Sequence, residues 1–492
     1  MAAIIVFFAI LAVSLLLAVL SMKGAVNSNM SEVMTAGGSF GAFLIFFLSV
    51  GEIYSIGTLI GTPGAIYSKG ASYIVWFIIY ILLAYPIGYF LNPYILKMGK
   101  LSKANTISDL IGWRYNSKLV QVVSAIIAIM FLVPWVQNQF AGMTILYKFL
   151  NLGFTPTIGI FISIILAFAY IVIAGIRAPA WVSVLKDILM VAGILIVGIV
   201  CIAKTPGGVA GIFGHTIQVA PKTLTVQPSQ VPNTITTILL QMLGFYMLPF
   251  TAQATLTSKN QKILRKNSIL MPLYMIMMPF LVIAAYFAVN NFKGLANPDN
   301  ALLTVVVNTL PGWLVGLVAG GAALTAILVM AFVSLCVGGL FSKNILGVLK
   351  PGLSDKSMTF STRIVTGIFL ACSAFFSLYF PALMLGVIAL SYSGLTQFFV
   401  SIFFGFTWKR ATKWGIVAGF VVSVTSLFLM TTLPYGIAKG FVALLINFAV
   451  TIVVSLLTKP DSEAVLRYEQ LKNYDKMREG TVEEELSFNQ EG

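Results

Sequence analysis

Charge, histidine and paired cysteine are what this sequence has least of. Only 9% of its 492 residues are Asp, Glu, Lys or Arg, while 59% are hydrophobic. A chain so poor in charge cannot clothe a soluble domain in water-compatible surface, so that class is excluded. The one histidine, His215, lies in a polar loop and leaves no His-based metal or catalytic centre to propose. Cys201, Cys336 and Cys372 stand far apart within apolar runs. They have neither disulfide nor metal-ligand spacing and are expected as buried free thiols. With no acidic cluster, His pair or nucleophile motif, no enzyme, metal or cofactor is expected.

What the chain has instead is hydrocarbon. Its mean hydropathy is +0.97, and repeated apolar runs of about 20 residues read as membrane spans. About thirteen are expected, over 3–21, 40–65, 70–96, 119–148, 155–175, 180–203, 233–256, 267–290, 311–340, 361–380, 381–406, 412–433 and 437–457. The first run is too long for a signal-peptide core and lacks a basic flank and a cleavage site, so it is read as a span. The net charge of +15 raises the question of nucleic acid. Its location argues against that. With the N-terminus outside, the clusters Lys97–Lys118, Lys259–Lys266 and Lys343–Lys356 all fall inside, while the facing loops hold isolated cations. The positive-inside rule then predicts a multi-pass plasma-membrane protein with its N-terminus outside and its C-terminus cytoplasmic. The basic balance implies attraction to anionic lipid, with the bilayer and not nucleic acid as partner.

Two spans are interrupted. Residues 49–64, Ser49-Val-Gly-Glu-Ile-Tyr-Ser-Ile-Gly-Thr-Leu-Ile-Gly-Thr-Pro-Gly64, place a carboxylate, hydroxyls, glycines and a proline in an apolar run. Irregular backbone at membrane depth survives only where it is buried or lines a cavity. The plainer alternative is a Gly-kinked helix with Glu52 near an interface. Residues 241–253, Gln241-Met-Leu-Gly-Phe-Tyr-Met-Leu-Pro-Phe-Thr-Ala-Gln253, repeat the pattern five spans later. Paired broken helices point to an inverted-repeat transporter with its site near the midplane, and an odd repeat length forces the inversion.

The expected architecture is therefore an all-α membrane protein with a 5+5 inverted repeat, one N-terminal and two C-terminal peripheral helices. Residues 1–39 form the first helix and a linker, 40–203 and 233–406 the two repeats, 407–457 the last two helices. Residues 204–232 read as an extracellular linker and 458–492 as a solvated cytoplasmic tail ending in Glu483-Glu484-Glu485.

Well inside the spans only Glu52, Lys186 and Asp187 are charged. A mid-membrane lysine costs about 2.5–3.5 kcal/mol unless paired or hydrated. Lys186 is read as a site lysine paired with Glu52 or with loosened carbonyls, or else as snorkelling to the interface. Adjacent helical residues point about 100° apart, so Lys186 and Asp187 are not expected to share a cavity. Trp135, Gln137, Asn138 and Gln139 on one span, and Tyr392, Ser393, Thr396 and Gln397 on another, fit a polar cavity lined by several helices. Singly, such groups more often bond helix to helix.

The chain resembles the sodium:solute symporter superfamily, with the leucine-transporter-type fold. The likeness rests on Gly37-Gly-Ser-Phe-Gly41, the first break, Gly64–Gly70, Ile107-Ser-Asp-Leu-Ile-Gly-Trp-Arg-Tyr-Asn116, Tyr170–Ala178, Pro249-Phe-Thr-Ala-Gln253, Ser258–Arg265 and Leu340-Phe-Ser-Lys-Asn-Ile345. Pro134–Gly142 with Gln139, Ile176–Ala180, Lys186-Asp187 and Arg265–Tyr274 are similar to the monocarboxylate-permease branch. The resemblance implies a sodium ion held by the carbonyls of Gly51 and Tyr54, a carbonyl near Thr325, and two hydroxyls. The hydroxyl positions map to Leu328 and Val329, both apolar, and a glutamine position maps to Lys186. The expectation is that Lys186 replaces the ion, with Glu52 as counter-charge, and that coupling is to H+ rather than Na+, or absent. The expected function is symport of a small carboxylate-bearing solute by alternating access. Ser55, Thr58, Trp135, Gln139, Tyr246 and Gln253 would form the pocket, with Tyr392 and Gln397 as gates. Ordinary sodium-coupled symport of a sugar, amino acid or vitamin is the alternative, as is a sensor or channel on the same fold. Oligomeric state is not read from the sequence.

Overall fold

The computed structural model describes residues 1–21, 29–151 and 155–474, without the side chains of 51–53 and 156. The acidic run at 483–485 lies outside the described residues. Helices dominate, and the β pairing among the described residues is one isolated bridge, Phe40 to Ser258. In chain order the main helices are α1 (Ala2–Leu20), α2 (Ala42–Ile53), α3 (Thr62–Lys69), α4 (Ala71–Ser102), α5 (Lys118–Leu150), α6 (Pro156–Ala174) and α7 (Arg177–Lys204). They continue with α8 (Val231–Gly244), α9 (Pro249–Leu256), α10 (Gln261–Asn291), α11 (Gly312–Phe341), α12 (Asp355–Tyr379), α13 (Met384–Thr407), α14 (Lys413–Leu429), α15 (Lys439–Leu457) and α16, residues 462–474.

Among the described residues, ten helices are long and apolar enough to cross a bilayer, or eleven with the bent pair α8–α9 taken as one span. The expected thirteen is not reached on this measure. The run 40–65 is divided between α2 and α3, and α14 has 17 residues.

Both interruptions have local causes. α2 ends at Ile53, Tyr54 leaves helical geometry (φ −86°, ψ 83°), and a π-helical turn, Gly57–Gly61, leads into α3 with Pro63 in its first turn. Single π turns within helices mark functional positions. In the second, Leu248 is extended (φ −59°, ψ 127°) because Pro249 behind it disfavours helical backbone. Pro249 then opens α9, where its missing N–H costs nothing. The axis bends by 42°.

α11 is the hub, with 94% of its most apolar window buried. It packs against α1, α5, α7 and α12. Gly316 permits the closest approach: a Cβ there would stand 2.4 Å from the Ala3 carbonyl. Small residues let membrane helices meet backbone to backbone.

At one end of the bundle two of the family-like stretches meet. Thr106 and Asp109 cap the helix Ile107–Arg114 reciprocally. Asp109 Oδ1 accepts from Asn344 (2.6 Å) and Gln121 (3.1 Å), and Oδ2 pairs with Lys343 at 2.8 Å. Two expectations are corrected nearby. The tail is not solvated throughout. Buried Arg114 donates to the carbonyls of Gly405 (2.7 Å) and Ala464 (2.9 Å), and Asn116 donates to Asp461 (3.1 Å), which docks α16 on the bundle. Nor is 204–232 a plain linker. Helix Gly208–Val219 packs on α10 through Thr216 and Asn290, and Tyr286 binds the Thr223 carbonyl.

Candidate functional site

The first break faces a cavity enclosed by α4, α5, α8 and α13. Ser55, Thr58, Trp135, Gln241 and Tyr392 supply its polar groups, with Tyr73, Trp76, Phe77 and Tyr80 of α4 as an aromatic wall. Those four fall at i, i+3, i+4 and i+7, so one helical face presents all of them. Tyr392 lies edge-on to Tyr80 (5.9 Å between centroids) and to Trp135 (5.7 Å). The free space is about 40 Å³, room for about three waters. Among the described residues no charged side chain lines it.

Several buried polar atoms here are left over. Trp135 Nε1, both amide atoms of Asn138, Gln139 Oε1 and Gln241 Oε1 have no hydrogen-bond partner. Each such atom costs about 1–3 kcal/mol, which a bound polar molecule or water recovers. Asn138 abuts the break: a Cβ at Gly57 would lie 2.6 Å from its Nδ2.

One residue before the cavity-lining Ser55, the Tyr54 carbonyl accepts a hydrogen bond from Lys186 Nζ at 3.2 Å. Lys186, on α7, is fully buried and is also ion-paired with Asp187. Asp187 Oδ1 accepts from Tyr274 at 3.0 Å, while its Oδ2 has no hydrogen-bond partner. The Tyr54 hydroxyl shares a 2.8 Å hydrogen bond with Tyr85. Of the two readings of Lys186, it reaches a loosened carbonyl and does not snorkel to an interface; it also pairs with Asp187, and neither side chain lines the cavity. The expected pairing with Glu52 falls on a side chain outside the described residues, and Gly51 lies in the last turn of α2.

The other expected residues divide. Ser55, Thr58, Trp135 and Tyr392 meet at the cavity, but four others do not line it. Gln139 turns along its own helix and donates to the Trp135 carbonyl (3.2 Å). Gln253 donates to the Met34 carbonyl (2.6 Å). Tyr246 is wedged against Gly88, its hydroxyl 4.0 Å from Met271 Sδ. Gln397 joins α13 to α15, donating to Gly440 (3.3 Å) and accepting from Asn447 (3.2 Å). Tyr392 lines the cavity, whereas Gln397 faces α15. The aromatic stripe on α4 and Gln241 belong to the cavity without having been expected. The stripe's spacing was the signal for them.

Of the positions that the resemblance implies for sodium, the Tyr54 carbonyl holds an ammonium, and Leu328 and Val329 are buried hydrocarbon. A hard cation needs an oxygen shell, and the side chains of Leu328 and Val329 add no oxygen to one.

Two broken helices around a central cavity, on a bundle of apolar helices, define a secondary transporter of the leucine-transporter-like fold. The sodium:solute symporter family matches residues 33–423, and the chain belongs to that family. An uncharacterized symporter of Bacillus subtilis (strain 168), YhjB, is 29% identical over 94% of this chain and 98% of its own length. The monocarboxylate transport permease protein of Rhizobium johnstonii is 25% identical over 87% of this chain and 91% of its own. The substrate-bound outward-open structure of a Na+-coupled sialic acid symporter superposes with TM-score 0.80 at 18% identity, covering 94% of this chain and 98% of that one.

Proposed function

We propose that this symporter carries a small carboxylate-bearing solute, a monocarboxylate or an amino acid, by alternating access. We propose that it couples transport to protons, or to no ion, in place of sodium. The carrying observation is Lys186 Nζ on the Tyr54 carbonyl at 3.2 Å. A fixed ammonium there stands where the resemblance implies a mobile cation. The unpartnered Asp187 Oδ2 beside it is a ready place for a proton, since a protonated carboxyl gains a donor and loses its charge in a dry setting. Glu52 is the second proposed proton partner.

The solute would occupy the cavity at the first break. Ser55 and Thr58 would bond its polar end, helped by the positive dipole end of the following helix. Trp135, Gln241 and Tyr392 would close around the rest. The permease description of the Rhizobium johnstonii relative supports a monocarboxylate. The basic clusters favour the N-terminus outside and the C-terminus inside the cell.

The test is a substrate-induced pH change in proteoliposomes, with labelled lactate, pyruvate and alanine. Proton movement with uptake is expected. Uptake driven by a Na+ gradient at clamped pH, with no response to ΔpH, would return the chain to sodium coupling. Clear uptake of a sugar with none of the three acids would end the carboxylate assignment.

A further inference from the structure

A second cavity opens at the end of the bundle away from the Asp109 junction. It lies between the last turns of α5, the loop before α11 and the turn joining α12 to α13. α5 starts at the Asp109 junction, where Gln121 sits, and carries Lys148 in its last turn, so the two ends are opposite. In the proposed orientation this end is outside. The volume is about 150 Å³, room for about ten waters. The transport cavity has about 40 Å³ and shares no lining residue with it. A small hydrated solute that the inner cavity cannot admit therefore has room in the outer one.

Among the described residues its lining carries one charge of each sign, Lys148 and Asp299. Lys148 is exposed, and its flexible four-carbon stem lets the ammonium swing over the opening. Asp299 is buried and held on three sides. Its backbone N–H donates to Asn297 Oδ1 (3.0 Å), and its Oδ2 accepts from the Met384 N–H (3.2 Å). It fits against α3 because residue 64 is glycine: a Cβ there would stand 2.7 Å from Asp299 Oδ1. Oδ1 accepts no hydrogen bond among the described residues, and no ion pair joins Asp299 to Lys148 among them. Gln137 is anchored by its Nε2 on the Phe380 carbonyl (2.9 Å), which leaves its Oε1 as a second acceptor. A monocarboxylate would satisfy Lys148 but set a second anion near Asp299. A simple cation would do the reverse. Like charges brought together cost affinity, so the lining favours a molecule with a carboxylate at one side and an ammonium at the other.

We propose that this cavity is an outer recognition site for a small zwitterionic amino acid, its carboxylate at Lys148 and its ammonium between Asp299 Oδ1 and Gln137 Oε1. This rests on the carboxylate-symporter reading and narrows the solute to an amino acid. The ligand also reaches the closure of the inner cavity. Asp299 caps the first N–H of α13, and the side chain of that same residue, Met384, lines the transport cavity against Gly61. An ammonium on Asp299 competes with the Met384 amide for the carboxylate, which loosens α13 where it covers the first break.

Equilibrium dialysis of labelled L-alanine and L-lactate against the purified full chain in detergent tests this, since lactate has a hydroxyl where alanine has an ammonium. Alanine is expected to bind, and Lys148→Gln and Asp299→Asn each to weaken it about ten-fold or more, the scale of a charge-assisted hydrogen bond. Lactate is expected to compete for that Lys148-dependent binding at least about ten-fold less well. In Asp299→Asn an amide oxygen still accepts from the Met384 N–H, so the variant reads charge with the shape kept. Lys148 is exposed, so its substitution leaves the fold intact. Lys222→Gln, at an exposed lysine outside the cavity, leaves binding unchanged. Ser55→Ala, in the transport cavity, lowers uptake while the Lys148-dependent binding persists. Alanine binding that is absent, or unchanged in both cavity variants, overturns the proposal, as does lactate bound equally well. Lactate uptake by proteoliposomes beside such a result would remove the outer site alone and leave the carboxylate reading standing.

Discussion

At the scale of the residue, Lys186 carries the most. It announced itself in the sequence because an ammonium in an apolar run is costly. One of its expected partners, a loosened carbonyl, is present at Tyr54, while the ion pair with Asp187 comes in addition. Lys186→Ala leaves the Asp187 carboxylate buried without its cation, at about 3–5 kcal/mol. A clear fall in thermal stability in detergent is expected, together with loss of the substrate-linked pH change. Lys186→Met with Asp187→Asn removes both charges, so it recovers much of that stability while the pH signal stays absent. Full pH coupling in the paired variant would detach these residues from the proton. The expected residues Gln139, Gln253 and Gln397 that do not line the cavity share one cause. An amide on a membrane helix is equally suited to a ligand and to a neighbouring carbonyl, and only packing decides between them.

At the scale of the element, the two breaks were legible because glycine and proline act on the backbone directly. Pro249 forces Leu248 out of helical geometry whatever surrounds it. The α4 wall was harder to see, since Tyr73, Trp76, Phe77 and Tyr80 suit a lipid-facing span as well as a cavity. Gly57 can be tested by size. Gly57→Ala brings a methyl to 2.6 Å from Asn138 Nδ2. Uptake should fall at least ten-fold at near-normal expression, and Asn138→Ala in the same chain should restore part of it. If the second change restores nothing, the contact is not what limits the variant. The docking of α16 is likewise invisible in composition, for it depends on Arg114 and Asn116 finding backbone and carboxylate partners far along the chain. Asp461 holds that junction, and its hydrogen bond from Asn116, then those from the backbone of Ala464 and Glu463, keep its carboxyl below the usual carboxylate range. A lowered folded-state pKa gives stabilisation that is complete above the ordinary aspartate value of about 3.9 and is lost as pH falls through the lower one. Proteolysis confined to the tail should therefore accelerate below about pH 4 and be unchanged from pH 6 to 8. Asp461→Asn should flatten that acid response.

At the scale of the whole molecule, the central cavity is too small for an organic acid with its hydration, so the bundle must part for solute to enter. Gly61 of the first break and Met384 at the start of α13 meet across it, a Cβ on Gly61 lying 3.3 Å from Met384 Cβ. That is near the spacing of a disulfide, about 3.5–4.5 Å. Gly61→Cys with Met384→Cys, in a chain where exposed Cys372 is replaced by Ser, should cross-link on oxidation, stop uptake and recover with reductant. Uptake that continues in the oxidised form would mean the two elements need not separate. The tethered ammonium at the Tyr54 carbonyl has an electrical consequence. A diffusible coupling ion crosses the bilayer and leaves, so each turn draws about 2.3 kcal/mol per charge from a potential of 100 mV. An ammonium fastened to α7 returns with the carrier and moves no net charge. Under the proposed coupling, a monocarboxylate carried with one proton would be electroneutral, and the cell's voltage would neither drive its uptake nor resist it, whereas a zwitterionic amino acid carried with a proton would move one charge.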